Sequence, residues 1–284
     1  MAEDALPPEA RRRGVSGGTF AVGVLVVAIL MFLAGFYVGQ IYAPTKPPAE
    51  LPALVIGTNT PFPPFEYRDD NDNIVGFDID LIKEVAKRMD RAYEIVNFRD
   101  FGALLAAVSG GTVDIAASAI TSSGSTGATR NATMDFSDAY YESDQGLLVQ
   151  ASNAANICGN DGCTGDDIQG LRVGAQSGTT SEYWVYDNVP DGGANMTTYP
   201  DVTLVLQALR SGAIDVIVID RPAADGIVAT NPSDYRVAGT VETNELYSFA
   251  VANNDPDGLL PGMNSALAAM RSDGTYQTIV DRWF

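Results

Sequence analysis

Two charged side chains, Arg130 and Asp220, are of types that recognise small charged molecules. Arg130 lies in the segment TRNATMDFSDAYY, and a guanidinium presents a rigid fork of donors that pairs with a carboxylate through two hydrogen bonds. Asp220 ends the apolar run AIDVIVID, and ligands of open α/β sheets bind at the carboxyl ends of strands. Surface arginines and helix-capping aspartates are also common, so the residues alone leave both interpretations open.

A third group, Gln176-Ser-Gly-Thr179-Thr180, lies between a strand-like run and a helical pattern. Backbone N–H groups at the start of a helix bind anions. Serine and threonine are also ordinary helix N-caps. The two interpretations are compatible, and both remain open.

The composition excludes several kinds of chemistry. The chain has no histidine, which removes the commonest general base and metal ligand. Glu66 has no obvious second catalytic group. We therefore predict no catalytic residue, no metal site and no cofactor. The formal net charge of −19 repels phosphate backbones, so we predict no nucleic-acid partner.

The two cysteines, Cys158 and Cys163, enclose the short sequence Gly-Asn-Asp-Gly. Two thiols at this spacing outside the membrane predict a small loop closed by a disulfide. A metal site would need further ligands, and the sequence offers none.

The elements that must position these residues follow an α/β pattern. Strand-like runs (ALVIGTN, YEIVNF, VDIAASAI) alternate with helical runs (FDIDLIKEVAKRM, FGALLAAVSGG), and the pattern restarts at LRVGAQSG. A helix that ends in glycine and leads to an aspartate and an apolar strand occurs twice, at LLAAVSGGTVDIAASA and LVLQALRSGAIDVIVID. The repetition predicts two similar α/β lobes with largely parallel sheets.

The N-terminal region predicts a membrane segment. Three arginines, Arg11 to Arg13, precede an uncharged apolar run over 20–42, and about 1.5 Å per residue makes such a run long enough for a bilayer core of about 30 Å. The arginines predict a cytoplasmic end at 1–19, so that everything beyond the proline-rich linker 43–53 lies on the extracytoplasmic face. A cleaved signal peptide, which would leave a secreted or periplasmic protein, is the alternative.

From residue 54 to the end, the chain resembles the amino-acid-binding family of extracytoplasmic solute receptors that serve ABC importers, the solute-binding protein family 3. The resemblance lies in six segments: TNTPFPPFEY…GFDIDLIKEVAKRM, FGALLAAVSGGTVD, TRNATMDFSDAYY, LRVGAQSGTTSEYW, AIDVIVIDRPAA and DGTYQTIVDRWF. It implies the type II periplasmic-binding-protein fold, in which two crossover strands join two α/β lobes around a ligand cleft. Lobe 1 would comprise 54–147 and 247–284, and lobe 2 would comprise 148–246.

The resemblance assigns roles in binding the α-groups of an amino acid. Asp220 would take the ammonium, and Arg130, six residues before Phe136, would take the carboxylate. Thr121 matches the family's first site threonine, and the carbonyl of Ala119 would accept from the ammonium. The family's usual Thr-x-Thr-x-Glu-Arg is about four residues longer here, because SSGSTGAT separates Thr121 from Arg130.

The second lobe and the aromatic residues complete the site that the resemblance implies. Thr179 and Thr180 would approach the carboxylate from lobe 2, so that the ligand bridges the lobes. Phe62 and Phe101 match the two cleft aromatics of the family, although a single phenylalanine is more often part of a core. These rings would hold the aliphatic part of the ligand's side chain.

The distal end of the site indicates the ligand class. Asn59 and Gln176 would face the end of the ligand's side chain, and both are neutral. Because an unpaired buried charge is costly, we predict an uncharged polar amino acid, with glutamine as the leading example.

The predicted function is capture of a free L-amino acid and its delivery to the permease subunits of an ABC transporter. One alternative is a sensing ectodomain for amino acids. Another is an enzyme on the same scaffold, similar to cyclohexadienyl dehydratase, which would need an acid or base in the cleft.

Overall fold

The computed structural model describes residues 17–41, 51–153, 155–158, 162–191 and 193–284. The chain forms two compact units, Met1–Glu50 and Leu51–Phe284. Arg11 to Arg13, residue 42 of the predicted membrane segment and residues 43–50 of the predicted linker lie outside the described residues.

In the first unit, helix α1 covers Gly17–Ile41. Its side chains are described at Val22 and over 24–37, and all of them are exposed. No helix of the described residues has both the length and the apolar character that crossing a membrane requires.

The second unit carries the strands. In chain order, the described residues form β1 Leu54–Asn59, β2 Tyr67–Arg68, β3 Ile74–Val75, β4 Tyr93–Phe98, β5 Ile115–Ala116, β6 Met134–Phe136, β7 Tyr141–Gln150, β8 Val173–Gln176, β9 Met196–Tyr199, β10 Val216–Asp220, β11 Tyr235–Tyr247 and β12 Ala250–Ala252.

The helices of the second unit lie between and after these strands. They are α2 Phe77–Arg88, α3 Phe101–Ser109, α4 Gly124–Arg130, α5 Thr180–Asn188, α6 Val202–Ser211, α7 Arg221–Thr230, α8 Leu260–Asp273 and α9 Thr275–Trp283, with one turn of 3₁₀ helix at Asp166–Ile168.

Two five-stranded sheets define two lobes. The first sheet has the strand order β4-β1-β5-β12-β6, and the second has the order β11-β7-β10-β8-β9. The pairs β1–β4, β1–β5, β8–β9 and β8–β10 are parallel. Strand β7 follows β6 of the first sheet and lies in the second, and β11 leads back to β12. The two-lobed α/β fold with two crossover strands is therefore confirmed. The lobe boundaries at 147/148 and 246/247 stay predictions.

The core of the first lobe follows from the amphipathic stripe of α2. Phe77, Leu81, Ile82 and Val85 of this stripe are completely buried, as their 3.6-residue spacing predicts. They pack in one cluster with Phe65 from the proline-rich turn after β1. Each such side chain stabilises the fold by roughly 1.5–3 kcal/mol when fully buried.

The second lobe repeats the arrangement around β10. Every residue of this strand is buried, which is typical of a strand covered on both faces. Helix α6 begins where the side chain of Asp201 caps the backbone N–H of Leu204. It ends at Gly212, whose φ of 73° is a left-handed conformation that favours glycine.

The disulfide predicted between Cys158 and Cys163 is confirmed. Both sulfur-bearing side chains are buried in the second lobe. They pack against β11 at Gly239, where an added Cβ would lie 2.1 Å from Sγ of Cys163. The disulfide can therefore pack against β11 only because residue 239 has no side chain.

We expect Gly239→Ala to destabilise the protein by about 1–3 kcal/mol, because overpacking forces the surrounding groups to move. Denaturant unfolding of the oxidised protein measures this loss. In a background with Cys158→Ala and Cys163→Ala the same substitution should cost less, because the clashing sulfur atoms are gone. An equal cost in both backgrounds would contradict the proposed clash.

Candidate functional site

A cavity between the two lobes collects the residues predicted to bind a ligand. It measures about 30 Å³. Every predicted ligand-binding residue lies on its wall: Asn59, Phe62, Phe101, Ala119, Thr121, Arg130, Gln176, Thr179, Thr180 and Asp220. The structure thus brings the whole predicted set together, and the role of each residue in binding stays a prediction.

The aromatic residues reach the cavity from the carboxyl ends of the neighbouring parallel strands β1 and β4. Phe62 lies in the turn after β1 and stacks on Phe65, with 5.9 Å between the ring centroids. Phe101 begins α3, a helix that the Asp100 side chain caps by accepting from the N–H of Ala103. Phe101 therefore holds its position in the wall through the start of a well-capped helix.

Arg130 is the one buried basic side chain among the described residues of the second unit. Its Nη1 donates to the carbonyl of Thr121 at 2.9 Å, and its Nη2 donates across the cleft to the carbonyl of Gly178 at 3.1 Å. The guanidinium carbon lies 5.4 Å from the centre of the Phe101 ring, a favourable cation–π distance. Burial lowers the pKa of Arg130 to about 10, so the group stays positively charged at neutral pH.

Asp220 faces the same cavity from the end of β10. Its Oδ1 accepts from Nε2 of Gln145 at 2.5 Å, and its Oδ2 accepts from the hydroxyl of Tyr247. Burial, followed by the nearby carboxylate of Glu245, raises the pKa of Asp220 to about 7. Asp220 therefore changes its charge near neutral pH, and a cation beside it would favour the ionised form.

Thr179 and Thr180, at the start of α5, line the cavity, and Thr179 is also an ordinary helix N-cap. Thr179 Oγ1 accepts from the backbone N–H of Glu182 at 3.3 Å and donates to the carbonyl of Gln176 at 2.7 Å. The carboxylate of Glu182 accepts from the N–H of Gly178 at 2.6 Å. The structure thus confirms that Thr179 caps this helix, and anion binding by the start of the helix stays a prediction.

Direct hydrogen bonds join the two lobes at the cavity. Gln176 Nε2 donates to Asn59 Oδ1 at 2.9 Å, and this contact is buried. Asn59 Nδ2 donates to the carbonyl of Phe98 at 2.8 Å. Together with the bond from Arg130 to Gly178, the amide pair holds the lobes in a closed arrangement.

Sequence reasoning missed the residues of the crossover strands that support Asp220. Gln145 on β7 donates from Nε2 to Glu245 at 2.8 Å as well as to Asp220, and its Oε1 accepts from Ser181 at 2.7 Å. Glu245 on β11 accepts from the hydroxyl of Thr121 at 2.7 Å. Both are buried polar residues on the crossover strands, and only their spatial position identifies them as part of the site.

Glu66 also lines the cavity, although the sequence analysis found no partner for it. Its Oε1 accepts from the hydroxyl of Ser118 at 2.7 Å, and Ser118 Oγ accepts from the backbone N–H of Asn59 at 3.1 Å. Its Oε2 is buried without a hydrogen-bond partner. Burial first, and the neighbouring carboxyl of Asp78 second, raise the pKa of Glu66 well above its ordinary value.

Asp78 supports the cavity wall from behind. Its Oδ2 accepts from the backbone N–H of Ala119 at 2.8 Å and from the hydroxyl of Tyr140 at 2.5 Å. Burial raises the pKa of Asp78 to about 7. These bonds hold Ala119 at a φ of 45°, which is uncommon for a residue other than glycine.

The segment that lengthens the chain before Arg130 forms α4. Ser122 and Ser123, the two residues of this segment that precede α4, are bonded to the end of β11. The N–H of Ser122 donates to the carbonyl of Leu246 at 2.8 Å, and Ser123 Oγ accepts from the N–H of Leu246 at 2.9 Å. The extra residues therefore carry Arg130 on a short helix that is bonded to a crossover strand.

Two lobes around a cavity with buried ionic groups define a periplasmic-type solute-binding protein. Residues 54–284 match the bacterial extracellular solute-binding proteins, family 3, and the chain belongs to that family. The L-cystine-binding protein TcyJ of Escherichia coli K12 is 30% identical over 231 residues, which cover 81% of this chain and 82% of TcyJ. The lysine/arginine/ornithine-binding periplasmic protein of the same organism is 30% identical over 243 residues, which cover 83% and 89%.

Solved structures show the same fold. An ancestral arginine-binding protein bound to glutamine is 33% identical with a TM-score of 0.73, and the match covers 82% of this chain and 97% of that one. The same ancestral protein bound to arginine is 33% identical with a TM-score of 0.74, covering 82% and 98%. These relatives are binding proteins for amino acids, and the family is extracytoplasmic.

We expect the free energy of unfolding to fall as the pH rises from about 4 to about 7. The pKa values of Asp78 and Asp220 rise from ordinary values of 3.8 to about 7 on folding. The folded protein therefore binds more protons than the unfolded chain in this window, and each carboxyl contributes a slope of at most about 1.4 kcal/mol per pH unit. Denaturant unfolding at a series of pH values measures the slope.

Asp78→Asn removes one of these protonation sites and should make the slope shallower. Asp257→Asn, at an exposed position, is the matched control and should leave the slope unchanged. A stability that rises with pH across this window would contradict the burial of these carboxyls.

Proposed function

We propose that this protein captures a free L-amino acid between its lobes, outside the cytoplasmic membrane, and delivers it to the permease of an ABC transporter. The observation that carries the proposal is the approach of Arg130 and Asp220 to one cavity from opposite lobes. A guanidinium and a carboxylate in one small cavity complement the two charges of an amino-acid zwitterion.

The α-carboxylate would bind to Arg130. The guanidinium donates to two backbone carbonyls, and a carboxylate offers it stronger, charge-assisted hydrogen bonds. The N–H groups at the start of α5, beside Thr179 and Thr180, would add donors from the second lobe.

The α-ammonium would bind to Asp220, the hydroxyl of Thr121 and the carbonyl of Ala119. Gln145 and Tyr247 already fix the carboxylate of Asp220, so little side-chain freedom is lost on binding. The positive charge of the ammonium also compensates the nearby charge of Glu245.

Entry of the ligand requires the lobes to separate. The cavity measures about 30 Å³, and the bonds from Gln176 and Arg130 cross it. A ligand that contacts both lobes stabilises the closed form over the open one, and this difference in affinity drives closure. The closed form is then the species that the permease recognises.

The proposed ligand has an uncharged polar side chain, with glutamine as the leading example. Asn59 and Gln176 form a neutral amide pair at the wall, and amides both donate and accept hydrogen bonds. Phe62 and Phe101 would contact the aliphatic part of the side chain. Relatives that bind cystine, arginine or glutamine by their names indicate that such sites vary in this family.

An enzyme on the same scaffold is the weaker candidate. It requires an acid or base in the cleft, and Glu66 is a carboxyl in that position. A single carboxyl supplies no second group for a paired acid–base reaction, and the relatives carry the names of binding proteins. We therefore assign Glu66 to recognition of the ligand and not to catalysis.

We expect Arg130→Ala to weaken amino-acid binding by about 3 kcal/mol, roughly a hundred-fold, through loss of charge-assisted hydrogen bonds to the carboxylate. A thermal-shift screen of the twenty amino acids identifies the ligand, and calorimetric titration measures the affinity. Arg68→Ala, at an exposed residue of β2, is the control and should bind like the wild type. Near-native affinity of a folded Arg130→Ala variant would exclude the assignment.

We also propose that the segment 20–42 anchors the protein in the membrane. The run is uncharged, α1 covers most of it, and the described side chains over 24–37 are exposed. An uncharged apolar run of about 20 residues is long enough to cross the core of a bilayer, and the proposal rests on this property of the sequence.

The anchor is tested by fractionating cells that express the full chain. We expect the protein to stay in the membrane pellet after an alkaline carbonate wash, and a variant without residues 1–50 to be released. Recovery of the full chain in the supernatant, with its N-terminal segment present by mass spectrometry, would refute the anchor. A chain shortened near residue 42 would establish the cleaved signal peptide instead.

A further inference from the structure

The turn after β1, residues 61–64 with the sequence Pro-Phe-Pro-Pro, meets helix α7 of the second lobe at Gly226. A Cβ atom added at Gly226 would lie 2.7 Å from the carbonyl oxygen of Pro63 and 2.9 Å from its carbonyl carbon. Cβ atoms are essentially never found so close to a carbonyl group. The backbones of the two lobes therefore approach each other here as closely as only glycine permits.

Gly226 occupies a position at which glycine is otherwise unfavourable. It lies inside α7, which covers Arg221–Thr230, and glycine destabilises the interior of a helix relative to alanine. Its backbone has the ordinary helical conformation and no positive φ, so the conformation does not require glycine. The close approach of Pro63 is the feature that does.

Neither side of this contact can retreat alone. On the first lobe, the carbonyl of Pro64 accepts from the N–H of Phe77 at 2.9 Å, and the next residue, Phe65, is completely buried. On the second lobe, Ala224 of α7 is completely buried in the core. A side chain at residue 226 would therefore be accommodated by a separation of the lobes.

The same contact determines the position of Phe62. This ring packs against the core of the first lobe and against that of the second, and it lines the cavity. Phe62 and Pro63 are consecutive in the chain, so the approach of Pro63 to α7 brings the aromatic wall of the cavity onto the second lobe.

We propose that Gly226 is a positioning residue for ligand capture, whose missing side chain allows the turn 61–64 to pack against α7 when the lobes close. This inference rests on the proposed function, because it requires an open form that captures the amino acid and a closed form that retains it. The described residues that line the cavity do not include Gly226. It therefore acts on the affinity through closure and not through contact with the ligand.

A Cβ atom at residue 226 should act in opposite directions on the two forms. In the open form, where the turn 61–64 is withdrawn, alanine favours the helix over glycine. In the closed form the added atom clashes with backbone atoms, which cannot rotate away, and such overpacking is destabilising. Because the clash is confined to the closed form, the equilibrium shifts toward the open form and the affinity for the ligand falls.

The test compares Gly226→Ala with the wild type, both as the full-length protein. The probe is the one of the twenty amino acids that gives the wild type its largest thermal shift, and calorimetric titration with this amino acid measures both affinities. We expect Gly226→Ala to bind it about ten-fold or more weakly. The melting temperature without ligand should equal or exceed that of the wild type, because alanine favours the helix.

A distance between the lobes reports closure directly. Nitroxide labels are placed at Asp70→Cys and Ser233→Cys, one exposed position on each lobe, and the two native cysteines are joined in the disulfide. We expect the ligand to shorten the distance between the labels less in Gly226→Ala than in the protein with Gly226.

Gly262→Ala is the matched control. Gly262 also lies inside a helix, α8 of the first lobe. A Cβ atom added there would lie 3.1 Å from Cε of Met89, the far end of a flexible side chain and not a backbone atom. The control variant should therefore bind the amino acid and close like the wild type.

The outcomes separate this inference from the proposed function. An affinity of Gly226→Ala within about two-fold of the wild type, or an equal loss in Gly262→Ala, would overturn the role of Gly226. A fall in the melting temperature of ligand-free Gly226→Ala would also overturn it, since the clash would then act on the fold and not on closure. Failure of the folded wild type to bind any of the twenty amino acids would contradict the proposed function itself, and the role of Gly226 would fall with it.

Discussion

The buried charges at the cleft are the constraint on which the surrounding structure depends. Among the described residues of the second unit, one guanidinium shares the protein interior with four carboxyl groups. Carboxyls in an apolar interior persist only when hydrogen bonds, protonation or an opposite charge compensates them. Burial is the main cause of the raised pKa values of Glu66, Asp78 and Asp220, and neighbouring carboxyls raise the pKa values of Glu66 and Asp220 further. A zwitterion held at Arg130 and Asp220 reduces the deficit of positive charge locally, because its ammonium enters where carboxyls are concentrated.

The crossover strands provide much of the compensation. Gln145 on β7 donates to both Asp220 and Glu245, and the hydroxyl of Tyr247 at the end of β11 donates to Asp220. These donors belong to the strands that connect the lobes and not to either lobe alone. The geometry around Asp220 is therefore coupled to the geometry of the connection, and a change in one alters the other.

Much of this architecture could be predicted from the sequence, because its signals are local. The amphipathic stripe of α2, the buried run of β10 and the glycine at the end of α6 each follow from periodicity or backbone preference. The resemblance to a family then predicted ten of the residues that line the cavity, Arg130 and Asp220 among them. Gln145, Glu245 and Ser118 could not be found in this way, since a polar residue within a strand acquires its role only from neighbours far away in the chain. Glu66 was visible as a carboxyl, but its burial beside the cavity is a property of the folded lobe.

The attachment of α4 to β11 has a mechanical consequence. Because Ser122 and Ser123 are bonded to Leu246, the helix that carries Arg130 is attached to β11, a strand about which the proposed function requires the lobes to rotate. The extra residues thus restrict the movement of Arg130 relative to β11, the pivot of this rotation. A pivot braced on one side permits fewer orientations of the open lobes, so less orientational entropy is lost when they close. For the proposed function, such bracing favours tight retention of the ligand over its rapid exchange.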